Sequence, residues 1–421
     1  MRLLPDALHE REFRLLFFGQ LISSFGDRMT PIAYTFAILE LTGNVSDVGF
    51  ALAAESVPMV IFFLVGGVWA DRISRVKVML ASDIVRFVCQ TIIAILLITG
   101  EARIGHLIAL SAIYGSALAF FFPAFSGMPP LIVKSDRFQE ANALLGLSRN
   151  ITAIFGPIAA GVTIALIGAG WAILVDAGTF LISAAFLVRM RVPAIAREAQ
   201  VRNFLSDLRE GWAEFKAHTW LWTIVLHASF FIMIALSAVF VLGPFLSDEH
   251  YGGASAWAAI STAFGVGSVL GGVLAMYYRP KRLLLVGELL MFLEVPRLIL
   301  LAVIAPLWTI VASSVLTGVT MSLFGALWMT ALHENIPEGS ISRVSAYDWM
   351  GSFAFQPIGM ALVGPIAVAF GTATVLWFAA IFVVISTLTI LCIPDVRNLQ
   401  RRSPQPGAAP QHTSGAAPSL Q

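Results

Sequence analysis

Charge is scarce in this chain of 421 residues. Only 12% of it is Asp, Glu, Lys or Arg, about half the fraction a soluble globule carries. In its place stand 58% hydrophobic residues and a mean hydropathy of +0.85, which exclude a soluble globule and leave a polytopic membrane protein. Cysteine is nearly absent: Cys89 and Cys392 both lie inside apolar runs, so neither a disulfide framework nor a cysteine metal site is available. The seven histidines form no His-Glu-x-x-His or paired ligand spacing, and neither metal nor cofactor is expected. A phosphate-cradling Gly-x4-Gly-Lys-Ser/Thr run is missing, which rules out an ATP-hydrolysing engine, and no Gly-x-Ser-x-Gly elbow marks a hydrolase. The net charge of +1 carries no footprint of a nucleic-acid partner. The start, MRLLPDALHEREFR, is charged and runs straight into an apolar segment, so no cleavable signal is apparent.

What the chain has is long apolar runs. Helices of about 20 residues cross a bilayer, and twelve stretches qualify: 14–39, 46–69, 78–99, 106–127, 142–168, 171–189, 220–246, 254–277, 283–304, 307–332, 344–370 and 372–393. The expected organisation is all-α: residues 1–189 as a six-helix half, 190–219 as a linker, 220–393 as a second six-helix half, and 394–421 as a disordered tail rich in Pro, Ala, Gly and Ser. Within the linker Leu205, Leu208, Trp212 and Phe215 recur at three- and four-residue steps, the pattern of an amphipathic helix at the membrane surface. All but five of the 26 Lys and Arg residues lie in or beside the termini and the even-numbered loops. Both termini are therefore expected in the cytoplasm.

The two halves echo each other. Gly66 to Arg75 reads GGVWADRISR at the end of the second span, and Gly271 to Arg282 reads GGVLAMYYRPKR at the end of the eighth; Gly66, Gly67, Val68 and Ala70 match Gly271, Gly272, Val273 and Ala275 at one offset. Met276 replaces the Asp71 of the first copy. A second echo aligns Phe155, Pro157 and Ile158 with Phe355, Pro357 and Ile358. Such echoes are what two fused homologous halves leave.

Charges inside apolar spans cost several kcal/mol unless paired or hydrated, so each is a candidate. Asp27 and Arg28 in the first span and Glu55 in the second fall at similar depth. Two readings stand: a neutral ion-pair cluster locking two helices, or a protonatable carboxylate in a water-filled cavity. Asp83 and Arg86 lie one turn apart in the third span, and with Arg149 and the Gly66–Arg75 loop they read as a gate network at the inner helix ends. Asp71 is expected to face the amino end of the eleventh helix near Ser342 and Arg343, where the helix dipole favours an anion. Glu294 and Arg297 form an i, i+3 pair around Pro296 in the ninth span. His227 in the seventh is either a packing residue or a proton carrier. Gly156, Pro157 and Gly161 in the fifth span provide small residues for close helix approach and a proline bend.

The Gly66–Arg75 motif, with Arg72 and Arg75 after Asp71, resembles the loop between the second and third helices of major facilitator superfamily transporters, and Gly156-Pro157 resembles the Gly-Pro motif of the superfamily's antiporters. Gly26-Asp27, Ala70 to Arg72, Asp83 to Arg86, Ala141-Asn142 and Asp176 to Phe180 together resemble the branch that holds the enterobactin exporter and macrolide efflux proteins. That resemblance implies a monomeric inner-membrane carrier exporting a siderophore, drug or similar amphiphilic small molecule in exchange for protons. One departure is that the fourth span, His106 to Gly127, lacks the Arg that drug/proton antiporters carry there. The alternatives are an importer or lipid transporter of the same fold, and a non-transporting membrane scaffold or sensor.

Overall fold

A computed structural model of the chain describes residues 6–134, 137–192 and 204–401, with side chains omitted at 64–72, 204–208, 338–339 and 342. After a 3-10 turn at Asp6–His9, the first half comprises α1 (Arg11–Thr42), α2 (Val45–Arg72), α3 (Arg75–Thr99), α4 (Ile104–Ser126), the single turn α5 (Pro129–Ile132), α6 (Phe138–Ile167) and α7 (Ala169–Val188). The linker helix α8 (Phe204–Ala217) leads to α9 (Thr219–Phe231), α10 (Ser237–His250), α11 (Ala254–Tyr277), α12 (Leu283–Met291), α13 (Glu294–Ala302), α14 (Leu307–Asn335), α15 (Glu338–Phe353), α16 (Gln356–Phe370), α17 (Thr372–Leu391) and a last turn, α18 (Pro394–Arg397). Ten of these segments are long and apolar enough to cross a membrane. The 32-residue α1 and the broken pair α12–α13 supply the other two of the twelve expected spans.

The breaks have identifiable causes. Proline lacks an N–H and frees the carbonyl four residues earlier. Pro296 frees that of Phe292, where α12 gives way to α13, and Pro357 that of Phe353, where α15 gives way to α16. Between α9 and α10 a π-helical turn spans Ile232–Leu236, with the Ser237 hydroxyl donating to the Ile232 carbonyl at 3.0 Å. At the face opposite the termini the helices turn on glycines in the left-handed region: Gly43, Gly100, Gly168, Gly252, Gly253 and Gly371.

The core shows how the halves meet. One apolar cluster takes residues from both halves, Ile38, Val48 and Ile173 alongside Leu242, Ile260 and Val363, all toward the face away from the termini. Toward the terminal face the core divides: Phe13, Leu16, Met79 and Leu187 belong to a first-half cluster, Leu221, Leu283, Leu327 and Leu332 to a second-half one. Among the described residues the halves thus share one core at the far face and have separate cores at the terminal face.

Small residues make the seal. Gly49 on α2 lies under the Met360 carbonyl of α16, Gly364 against Ser46, Gly161 on α6 against Ala258 of α11, and Gly265 against the Ala153 carbonyl. Any side chain at Gly49 would strike backbone. Gly49→Val should destabilise the far-face seal by about 1–3 kcal/mol, as overpacking does. A cysteine placed at Val48, buried in the shared core, should then become several-fold more reactive to a membrane-impermeant maleimide. Unchanged labelling would show that the seal does not depend on this contact.

The linker helix α8 docks on the second half. Trp212 stacks on Phe215 (5.6 Å) and meets Tyr347 of α15 (5.4 Å), while Arg343 donates to Glu210 at 2.8 Å. Leu205 and Leu208, the other residues of the amphipathic pattern, lie outside the described side chains. Residues 394–401, counted with the tail from composition, fold against the second half: Val396 is buried and Arg401 pairs with Glu334 at 3.3 Å. Residues 402–421 lie outside the described residues.

Candidate functional site

The first half encloses a polar network at the depth of Asp27. Gly26 allows α7 to approach α1 so closely that a Cβ there would strike Asp176 and Thr179. Arg86 on α3, fully buried, pairs with Asp83 one turn before it and reaches Asp27 across to α1, Nη1 to Oδ1 at 3.5 Å. Its guanidinium lies between the rings of Phe121 and Phe180, 4.3 Å from each centroid, a placement that stabilises a planar cation. Tyr114 on α4 donates its hydroxyl to Asp27 at 3.2 Å. Among the described residues Asp176 receives neutral donors alone: Thr30 at 2.6 Å, Gln90 at 3.0 Å and Thr179 at 3.3 Å. Two carboxylates therefore pair with one guanidinium and a third lies beside them, and Asp27, with 35% of its side chain exposed, is the partly open member where Asp83 and Asp176 are buried.

The structure regroups several expected partners. Asp27 pairs with Arg86 rather than with Arg28, because successive side chains on a helix point about 100° apart; Asp27 turns into the half and Arg28 away from it, exposed. Glu55 on α2 has no ion-pair partner among the described residues and lies within electrostatic reach of Asp27. Asp83 and Arg86 belong to this network, and Arg149 does not: it projects from α6, exposed and within reach of Arg28. The expected grouping of Asp83, Arg86 and Arg149 is corrected accordingly, since the α3 face carrying Asp83, Arg86 and Gln90 turns toward α1 and α7. Arg75 donates to the Gly127 carbonyl at the end of α4. Gly66, Gly67, Asp71, Arg72 and Ser342 lie outside the described side chains.

In the second half, Glu294 and Arg297 form their expected pair, both buried, with Nε to Oε1 at 3.0 Å. His227 is sandwiched chemically: its Nδ1 lies 3.1 Å from Glu288 Oε2 and its Nε2 3.1 Å from Ser386 Oγ. Gly156 carries the root of Arg28, whose Cβ occupies the place of a side chain there. Among the described residues no group of His, Cys, Asp and Glu is arranged to hold a metal ion.

Sequence reasoning missed Asp176 and Glu288 as site residues. Asp176 entered only as part of a motif, and Glu288 not at all, although both are carboxylates inside apolar spans. The rule applied to Asp27 and Glu55 finds them too. Tyr114 and Gln90 carried no signal, because uncharged polar residues occur on many helix faces.

Two helical halves that share a core at one face, have separate cores among the described residues at the other and carry buried charge within each half have the architecture of a secondary transporter. The chain belongs to the Major Facilitator Superfamily, whose sequence pattern matches residues 16–347, and is accordingly a membrane transporter rather than an enzyme. It is 26% identical over 406 residues to the enterobactin exporter EntS of Escherichia coli, covering 93% of this chain and 94% of that one. Macrolide efflux protein A of Streptococcus pyogenes is 21% identical over 398 residues, 92% and 97% of the two chains. Among solved structures, a bacterial homolog of the human lysosomal transporter Spinster superposes with a TM-score of 0.69 at 15% identity, over 93% of this chain and 98% of that one, a likeness of fold alone.

Proposed function

We propose that the protein is a secondary efflux carrier that exports an amphiphilic small molecule, of siderophore or drug type, in exchange for protons. The observation that carries this reading is the network at membrane depth in which Asp27 and Asp83 pair with Arg86 while Asp176, held by neutral donors, lies beside them. Two acids in excess of one base in a low-dielectric setting form a site whose charge is balanced by taking up protons. Asp27, the partly exposed one, is the member that exchanges them. The efflux relatives support the direction, and the basic residues clustered at the terminal face support a cytoplasmic assignment of that face and both termini. The form described is then open to the cytoplasm and sealed outside. The carrier works as a monomer in the inner membrane, through rocking of one half against the other.

Outside the spans, Glu40 at the end of α1 faces Asp248 at the end of α10, across the seal between the halves. Burial and then the Asp248 charge push its carboxyl above its ordinary range. A group whose proton affinity is raised in the sealed form, and relaxes when the ends part, favours the sealed form once protonated. Acidifying into the upper carboxylate range should therefore strengthen the outer seal, and raising the pH should loosen it. Glu40→Gln should remove this dependence from maleimide labelling of the cysteine at Val48; an identical pH profile in the variant would dismiss the role of Glu40.

The function is tested with purified protein in liposomes containing a pH-sensitive dye. Adding a catecholate siderophore or a macrolide should drive proton movement opposite to the solute. Solute flux with no accompanying proton flux would refute exchange.

A further inference from the structure

Arg28 and Arg149 are both exposed at membrane depth, and among the described residues neither has a carboxylate within ion-pair distance. Their positions exclude two ordinary explanations. The first is snorkelling to lipid headgroups. Arg28 stands seventeen residues into α1, about 25 Å from its start at 1.5 Å per residue, beyond the reach of a side chain to the headgroups, whereas Arg149 is kept from lipid by the face it occupies. The second is a lipid-facing location. On α6 the exposed apolar residues Leu147, Ile151, Phe155, Ile158 and Val162 form the stripe that faces lipid. Arg149 lies on the opposite face, in line with Ala153, which packs on Gly265 of the second half, and with Gly156, which carries the root of Arg28.

The exposure pattern of α1 gives the same answer. Arg14, Phe18 and Arg28 are exposed along one side, yet from Ile32 to Leu39 every side chain is buried. A lipid-facing stripe would continue along the whole helix. This one stops, so it lines the cleft that opens between the halves at the terminal face, and Arg28 stands just below the cleft's sealed end.

Two guanidiniums near the end of a cleft repel each other. In a poorly solvating environment that repulsion is stronger than in water, and an anion between them relieves it. Guanidiniums are suited to this, because their planar forks match the oxygens of carboxylate, sulfonate and phosphate. The roots lie two turns apart, since the Cβ of Arg28 rests on Gly156, seven residues beyond Arg149. The two forks therefore approach an oxyanion from different heights.

We propose that Arg28 and Arg149 form an oxyanion-binding site in the cleft, so that the transported amphiphile is an organic anion. This rests on the cleft being the substrate path, and it is tested without any gradient, so that failure of proton exchange and failure of the anion site are distinguishable. The probes are a matched pair, 1-naphthalenesulfonate and its uncharged analogue 1-naphthalenesulfonamide, titrated by calorimetry onto detergent-purified protein. The sulfonate should bind the wild type on the order of tenfold or more tighter than the sulfonamide, as charge-assisted hydrogen bonds are worth that much. Arg28→Gln and Arg149→Gln should each lose a similar factor for the sulfonate and none for the sulfonamide. Arg28→Lys and Arg149→Lys, which keep the charge and guard against misfolding of the Gln variants, should recover part of it. Arg103→Gln, in an exposed turn at the far face, should bind as the wild type does. Equal affinity for the two probes, no binding of the sulfonate, or undiminished sulfonate binding in both Gln variants would overturn the site. Repeating the titration in nanodiscs with phosphatidylglycerol separates a soluble anion from a lipid headgroup: unchanged sulfonate affinity is expected, and competition by the lipid would overturn the assignment to a soluble substrate.

Discussion

Asp27→Asn is expected to abolish concentrative transport while leaving downhill exchange of the solute measurable. A ligand moves an equilibrium between two conformations only by its differential affinity for them, so exchange requires that proton and solute favour different forms. Asp27 is placed to provide that difference. It accepts a hydrogen bond from Tyr114, lies 3.5 Å from Arg86, and is the network's partly exposed carboxylate. Protonation removes its attraction for Arg86 and leaves Asp83 as that cation's ion-pair partner. The asparagine imitates the protonated form permanently, so the step that a gradient drives is lost, while the alternation of the halves is kept. Glu55→Gln should cause a milder loss, because Glu55 acts on the network from a distance. Near wild-type accumulation by Asp27→Asn would make Asp27 a structural charge and transfer the coupling role to Glu55 or Glu294.

Arg86→Met is expected to be the most destabilising single change in the first half, by about 3–5 kcal/mol, the usual cost of stranding the partner of a buried ion pair. Arg86 and Asp83 are both fully buried. Without the guanidinium, Asp83 loses its counter-charge, Asp27 loses its cation, and the space between Phe121 and Phe180 loses the plane that fills it. Arg86→Lys keeps the charge but not the fork or the stacking, and should fall between. The double variant Arg86→Met with Asp83→Asn removes both members and should recover much of the loss. Thermal unfolding in detergent measures all three; a single variant that unfolds at the wild-type temperature would show that the pair contributes nothing net.

The sequence reveals depth but not direction. Counting residues from span ends placed Asp27, Arg28 and Glu55 at one level, and Pro296 and Pro357 mark helix breaks that the structure contains. Which way each charge points depends on neighbours distant in sequence. Asp27 and Arg28 are adjacent in the chain, yet one enters a network with α3, α4 and α7 and the other faces the cleft. Arg149 illustrates the same limit. Near the start of its span it reads as a gate residue beside Asp83, but the α6 face that carries it turns toward α1 and the second half. The π-helical turn at Ile232–Leu236 contains no proline or glycine to announce it, and Glu288 meets His227 only because α12 and α9 both pack against α17. Echoes such as Phe155/Phe355 show that two halves exist; the single core at one face and the divided core at the other follow from packing.

Proton-driven export is tested most directly with inverted membrane vesicles, whose lumen corresponds to the cell exterior, given a labelled catecholate siderophore or macrolide. With an acid lumen the wild-type protein should concentrate the solute inside, and a protonophore should release it. Accumulation that ignores the pH gradient, or that occurs only when the gradient is reversed, would contradict the account.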